Sequence, residues 1–242
     1  MSQTETARAP REGVVLLHGI GRTSRSMRKL DRSLRQAGLA TLNLTYASRK
    51  KPLEQLAEEV HPAISQFGEA TQGPLHFVGH SMGGLLARVY VARYRPARLG
   101  RVVMLGTPNG GSELADLLQD SLLYRSYYGP AGQQLTTLPD DTLALLPPVD
   151  YPVGVIAGDR AINPIAWRFV LPRPNDGCVS VESSKLAGMA DHVTIRATHV
   201  GLSRHADAIR QTIAFLSNGR FMQVANGRSP PQSATSNFAL TM

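Results

Sequence analysis

Six short runs rich in valine, leucine and isoleucine recur along the chain, at Val14–Leu17, Thr41–Thr45, Leu75–Val78, Arg101–Leu105, Val153–Ala157 and Val193–Ala197. Between and after them, Ser26–Ala37, Leu53–Phe67, Met82–Tyr94, Glu113–Leu118 and Arg204–Leu216 carry apolar residues at helical period. Strands that alternate with helices are joined by crossovers. This pattern therefore predicts an α/β fold: a mostly parallel sheet of about six strands with helices on both faces. Ligands of such sheets bind at the carboxyl ends of the strands.

The chain has 242 residues, 42% of them hydrophobic, enough for one good core and a single domain over residues 13–216. The polar, unpatterned segments at 1–12 and 217–242 read as flexible tails. The formal charge of +8 is carried mostly by arginine, the lysines being Lys29, Lys50, Lys51 and Lys185. Because the basic residues are dispersed, they read as a solvated surface with a weak pull toward anionic lipid, and no nucleic-acid partner is expected. A lone cysteine, Cys178, rules out an intrachain disulfide and offers no zinc-ligand spacing. With neither an apolar signal-like segment at the N-terminus nor an apolar run of about 18 residues, the expectation is a soluble cytoplasmic protein.

Chemistry concentrates at Gly79-His80-Ser81-Met82-Gly83-Gly84, which lies between an expected strand and an expected helix. G-x-S-x-G in that setting is a nucleophile elbow. The turn holds Ser81 in a strained conformation with its hydroxyl above the sheet, and side chains at positions 79 or 83 would strike adjacent backbone. The plainer alternative is a serine N-cap in a glycine-rich turn.

With this motif the sequence resembles the lipase-like branch of the α/β-hydrolase superfamily, whose members carry G-H-S-x-G-G. The resemblance spans Val14 to Leu216. It implies that the loop in "VVLLHGIGR" after the first strand supplies an oxyanion-binding N–H from Ile20, partnered by the N–H of Met82. His18 would then pin the loop.

A serine hydroxyl needs a base. His199 lies just past the strand "VTIRAT", at the same edge as Ser81, whereas His192 lies at the far end of that strand, roughly 23 Å away at about 3.3 Å per residue. His205, within or just before the last helix, is expected to face solvent, His61 and His76 lie on elements that point elsewhere, and the side chain of His80 is expected to point away from its neighbour Ser81. The base needs a carboxylate to fix its tautomer. Asp176, in "NDGCV", matches the segment where lipase-like relatives keep theirs, and Asp159, after the fifth strand, is the alternative. Asn175-Asp176-Gly177 would equally suit a type I′ turn chosen for backbone geometry.

The resemblance implies a Ser81–Asp176–His199 triad that cleaves carboxylic esters through an acyl-enzyme, with no metal or cofactor. The expected partner is a small-molecule ester or lipid, with transient contact to an anionic membrane. Residues 112–148, in which Leu114, Leu117, Leu118, Leu122 and Leu123 suggest an apolar helical face beside "YRSYYGPAGQQ", occupy the place where this fold inserts a cap; an ordinary crossover helix with a loop is the alternative. Secreted bacterial lipases carry a calcium-ligating aspartate two residues after the histidine, where this chain has Gly201, and often a disulfide near the acid, where Cys178 has no partner. Calcium dependence and secretion are therefore not expected. An acyltransferase, a head-group-specific lipid deacylase and a non-catalytic binding protein remain alternatives on the same residues.

Overall fold

The computed structural model describes residues 11–111, 130–132, 134, 146–161 and 171–223. Six parallel strands form one sheet: β1 (Arg11–Leu17), β2 (Ala40–Asn43), β3 (Gln72–His80), β4 (Leu99–Leu105), β5 (Val153–Gly158) and β6 (Asp191–Ile195), in the order β2-β1-β3-β4-β5-β6. Chain direction across the sheet reverses between β1 and β3, because β1 leads outward to β2 and β3 leads the other way to β6. The carboxyl ends of β1 and β3 therefore flank the topological switch point, where parallel sheets open a crevice.

Helices α1 (Arg28–Gln36), α2 (Leu53–Thr71), α3 (Met82–Tyr94), α4 (Val181–Ser184) and α5 (Ala206–Asn218) connect or follow the strands. Side-chain alternation along the strands splits the core in two. Val15, Leu17, Phe77, Val102, Met104 and Val155 face α2 and α3, where Leu56, Val60, Ile64, Leu86 and Tyr90 cover them. Val14, Leu16, Val78, Val103, Leu105 and Ile156 face α1 and α5, and pack on Leu30, Leu34, Ile209 and Phe215. Because both faces are covered, the inner strands are apolar runs rather than alternating ones; every residue of β5 is buried.

The ordered domain is larger than the sequence boundaries suggest. β1 begins at Arg11, where its pairing with Gln72 fixes backbone assigned to a flexible tail. At the other end, α5 runs to Asn218 and stops at Gly219 in the left-handed region, φ 73°. Phe221 then packs on Phe215 with ring centroids 5.0 Å apart, and its N–H donates to the Asp191 carboxylate at 2.8 Å. Most of the expected cap, the helix expected at Glu113–Leu118 and the outer tails (1–10 and 224–242) lie outside the described residues. From the cap region, Ala131 is buried with the α2–α3 core, and the Gln134 side-chain Oε1 accepts the N–H of Leu53 at the start of α2.

Candidate active site

β3 ends at His80 and α3 begins at Met82, so Ser81 alone makes the turn. Its backbone sits at φ 55°, ψ −127°, a region that L-residues occupy only under constraint. The constraint is visible: the Ser81 N–H donates to Leu105 O at 2.8 Å, and Ser81 O accepts from Gly84 N at 2.9 Å and from Thr107 Oγ1 at 3.1 Å. Strand and helix meet so closely that a Cβ on Gly79 would lie 2.4 Å from the Gly83 carbonyl carbon. One on Gly83 would lie 2.2 Å from Leu17 O of β1. Both glycines are thus dictated by backbone packing around the serine.

The loop after β1 is built around His18, which is fully buried. Its Nδ1–H donates to Gly19 O at 2.8 Å, its Nε2 accepts the Tyr46 N–H at 3.4 Å, and its ring stacks on Tyr46 at 4.1 Å. The Tyr46 hydroxyl in turn donates to His18 O. Burial lowers the His18 pKa, so the ring is neutral and keeps the tautomer these bonds require. Gly19 lies against the serine, with a Cβ there falling 3.1 Å from Ser81 Cβ. Among the described residues no acceptor takes the main-chain N–H of Ile20, the residue after Gly19, or of Met82, the residue after Ser81.

His199 opens a 3-10 turn, His199–Arg204, four residues beyond the end of β6. Its Nδ1–H donates to Asp176 Oδ2 at 2.8 Å, and its N–H donates to Asp176 O at 3.0 Å. The other carboxylate oxygen, Asp176 Oδ1, accepts from Cys178 N at 2.9 Å and Val179 N at 2.8 Å. These bonds satisfy a carboxylate whose side chain is wholly buried. The loop is not the type I′ turn that Asn175-Asp176-Gly177 would suit, since only Gly177 has a positive φ, 97°. It is an Asx-type turn in which the aspartate side chain bonds its own loop.

Asp159, the alternative acid, is exposed at the end of β5, and its carboxylate makes no hydrogen bond or ion pair among the described residues. Gly106, at the end of β4, supports the other pair: a Cβ there would lie 3.0 Å from Asp176 Oδ2 and 3.2 Å from His199 Nδ1. Ser81, Asp176 and His199 thus gather at the carboxyl ends of the strands. The Ser81 hydroxyl makes no hydrogen bond to His199 in this state.

The remaining histidines have other work. His61 bonds the Tyr90 hydroxyl and stacks on Tyr94, His76 accepts the Arg101 N–H at 2.8 Å, and His205 caps α5 by accepting the Asp207 N–H. His192 sits in β6, remote from the site. His80 has a role that sequence reasoning missed. Its side chain reaches His199, with Nε2–H donating to His199 O at 2.8 Å and ring centroids 5.0 Å apart. Burial first, and the adjacent His199 second, hold its pKa down at about 3. No local pattern announces this bond, because it joins residues that only the sheet brings together. Burial and the Asp176 carboxylate push the Cys178 thiol up to about 12, so it is protonated at neutral pH and is no rival nucleophile.

Two cavities bear on where a ligand binds. One of about 300 Å³, lined by His61, Tyr90, Tyr94 and Arg98, lies near the amino ends of β3 and β4, away from Ser81. Another of about 380 Å³ includes His80 in its wall and adjoins the site.

A family model described as the alpha/beta hydrolase fold matches residues 13–132. Triacylglycerol lipases from Pseudarthrobacter phenanthrenivorans and Burkholderia plantarii are each 35% identical over 130 residues, which is 49% of this chain and 40% and 35% of theirs. The match thus spans well under half the length of those relatives. The crystal structure of mature Bacillus licheniformis lipase BlEst2 superposes with a TM-score of 0.70 at 16% identity, covering 89% of this chain and 95% of that one. In strand order and helix placement this chain has the α/β-hydrolase fold, and residues 13–132 match that family's model in sequence.

Proposed function

We propose that the chain is a serine hydrolase of carboxylic esters, of lipase or esterase type, with Ser81 as nucleophile, His199 as base and Asp176 as the acid that orients it. The observation that carries this reading is the 2.8 Å His199 Nδ1–Asp176 Oδ2 bond at the strand ends where Ser81 occupies its strained turn. With Nδ1–H committed to Asp176, the bare Nε2 is left to take the Ser81 proton. Ser81 Oγ bonds to the acyl carbon, the carbonyl oxygen becomes an oxyanion held by the N–H groups of Ile20 and Met82, and the acyl–oxygen bond to the alcohol breaks as His199 returns the proton. Water then repeats the sequence on the acyl-enzyme and releases the acid. Similarity to triacylglycerol lipases supports an acyl-lipid or related ester as substrate. None of the described helices is long and apolar enough to cross a membrane. Within this reading the enzyme is cytoplasmic and meets anionic membranes transiently.

Hydrolysis of a nitrophenyl ester series from short to long acyl chains, with Ser81→Ala protein as the blank, tests the reading. A Ser81-dependent rate is expected, and its dependence on chain length separates lipase from small-ester esterase. Equal rates for the two proteins on every ester would overturn the assignment.

A further inference from the structure

The cavity beside the site is walled by the residues that immediately adjoin the proposed machinery. Gly21 and Arg22 follow Ile20, His80 precedes Ser81, and Val200 follows His199. Thr23, Arg25 and Ser26 before α1, and Ser203 and Arg204 in the turn that begins at His199, complete it. Three arginines and no acidic residue thus line the pocket, and Arg22, Arg25 and Arg204 form no ion pair among the described residues. Elsewhere the chain does pair its surface cations, as in Arg93–Glu58, Arg95–Asp150 and Lys51–Glu59.

The pocket walls are fixed to one another. Ser203 Oγ donates to Ser26 O at 3.1 Å, joining the two turns, and Gly21 N donates to Ser48 Oγ at 3.1 Å. Leu202 and Met27, each next to a pocket residue, are fully buried in the same core. The volume, about 380 Å³, falls within the range of small-ligand sites, roughly 300–1,000 Å³. Arginine presents a planar fork of donors suited to phosphate oxygens, and charge-assisted bidentate pairs of this kind are the strong ones.

We propose that this pocket binds a phosphate group carried on the alcohol half of the ester substrate. The proposal rests on the hydrolase reading for its orientation. His199 delivers its proton to the departing alcohol, so that half of the substrate lies on the His199 side, and the turn that begins at His199 forms the pocket wall. The substrate class is then an acyl ester of a phosphorylated alcohol, of which a monoacylglycerol phosphate is the simplest form.

Two measurements on the full chain test this. In the first, 1-octanoylglycerol 3-phosphate and 1-octanoylglycerol, kept below their micellar concentrations to remove any effect of a lipid surface, are hydrolysed by wild type and by Arg25→Gln/Arg204→Gln. Both arginines are exposed, so the core packing is untouched. Wild type is expected to favour the phosphate ester by about tenfold in kcat/KM, with the preference falling to within about twofold in the double variant and shrinking as salt rises. A wild type without the preference, or a variant that keeps it, overturns the proposal and leaves the hydrolase reading standing.

In the second measurement, glycerol 3-phosphate and inorganic phosphate are titrated calorimetrically into Ser81→Ala protein with and without the two arginine substitutions. Binding of glycerol 3-phosphate that weakens about tenfold with the substitutions supports the pocket even if neither ester shows Ser81-dependent cleavage, the result that would remove the hydrolase reading. Equal binding with and without the arginines overturns the pocket. Inorganic phosphate binding as tightly as glycerol 3-phosphate, with no rate preference between the esters, overturns the leaving-group assignment and makes this a free-anion site.

Discussion

His80 Nε2–H donates to the carbonyl of His199 at 2.8 Å, so the residue before the proposed nucleophile holds the backbone of the proposed base. The two lie 119 positions apart and meet because β3 and the turn after β6 end at the same edge of the sheet. The bond requires a neutral His80 carrying its proton on Nε2. Burial secures the neutral form, and leaves Nδ1 enclosed without a partner.

His80→Phe keeps the ring volume while removing that donor. If His80 positions His199, kcat is expected to fall about tenfold with KM nearly unchanged, along with about 1 kcal/mol of stability at neutral pH for the lost buried bond. An unchanged kcat would show that His199 is held well enough by Asp176 alone.

The same residue sets a pH dependence of stability. His80 titrates near 3 when folded and near 6.5 when unfolded, so between those values the unfolded chain binds a proton that the folded chain does not. Stability therefore falls as pH drops through this window, by at most about 1.4 kcal/mol per unit from this one group. His18, His76 and His192 are lowered in the same direction, chiefly by burial, and add to the slope. Urea midpoints measured from pH 7.5 down to 4 should decline, and His80→Phe should decline less steeply than wild type.

Asp176→Asn and Asp159→Asn separate the two candidate acids. With Asp176 bonded to His199 and Asp159 exposed, the first substitution is expected to lower kcat by about 10³–10⁴ and the second by less than twofold. A large loss at Asp159 with a small one at Asp176 would reverse their roles.

Strain at Ser81 predicts a contrast between two inactive variants. Glycine accepts φ 55°, ψ −127° freely and alanine does not, so Ser81→Gly should be more stable than Ser81→Ala by about 1 kcal/mol, while neither turns over an ester. Thermal denaturation of the pair reads this directly, and equal midpoints would mean that the turn stores no strain.

Tyr46→Phe removes the hydroxyl that holds His18 O and so loosens the loop carrying the Ile20 N–H. An expected drop in kcat of about tenfold, with little change in KM, follows if that N–H serves the oxyanion, since a transition-state donor acts on kcat.

The sequence by itself determined the six strands and the helices α1, α2, α3 and α5, and the order in which they occur. Local patterns suffice for both: apolar runs marked all six strands, and Gly79, Ser81 and Gly83 marked a turn whose glycines are forced by contacts with the next helix and with β1. The ordered domain ran past the expected limits because pairing at Arg11 and packing at Phe221 depend on partners far along the chain. Tertiary structure alone sets Asp176 apart from Asp159 as the hydrogen-bond partner of His199. Both carry the right carboxylate, but only the loop at 175–180 folds back through its own Asx turn to present one oxygen to His199. It also turned His80 toward His199 and drew Arg22, Arg25 and Arg204 around one cavity. Arg22 and Arg25 share the turn after β1, and Arg204 joins them around the cavity only because that turn packs against the turn after β6.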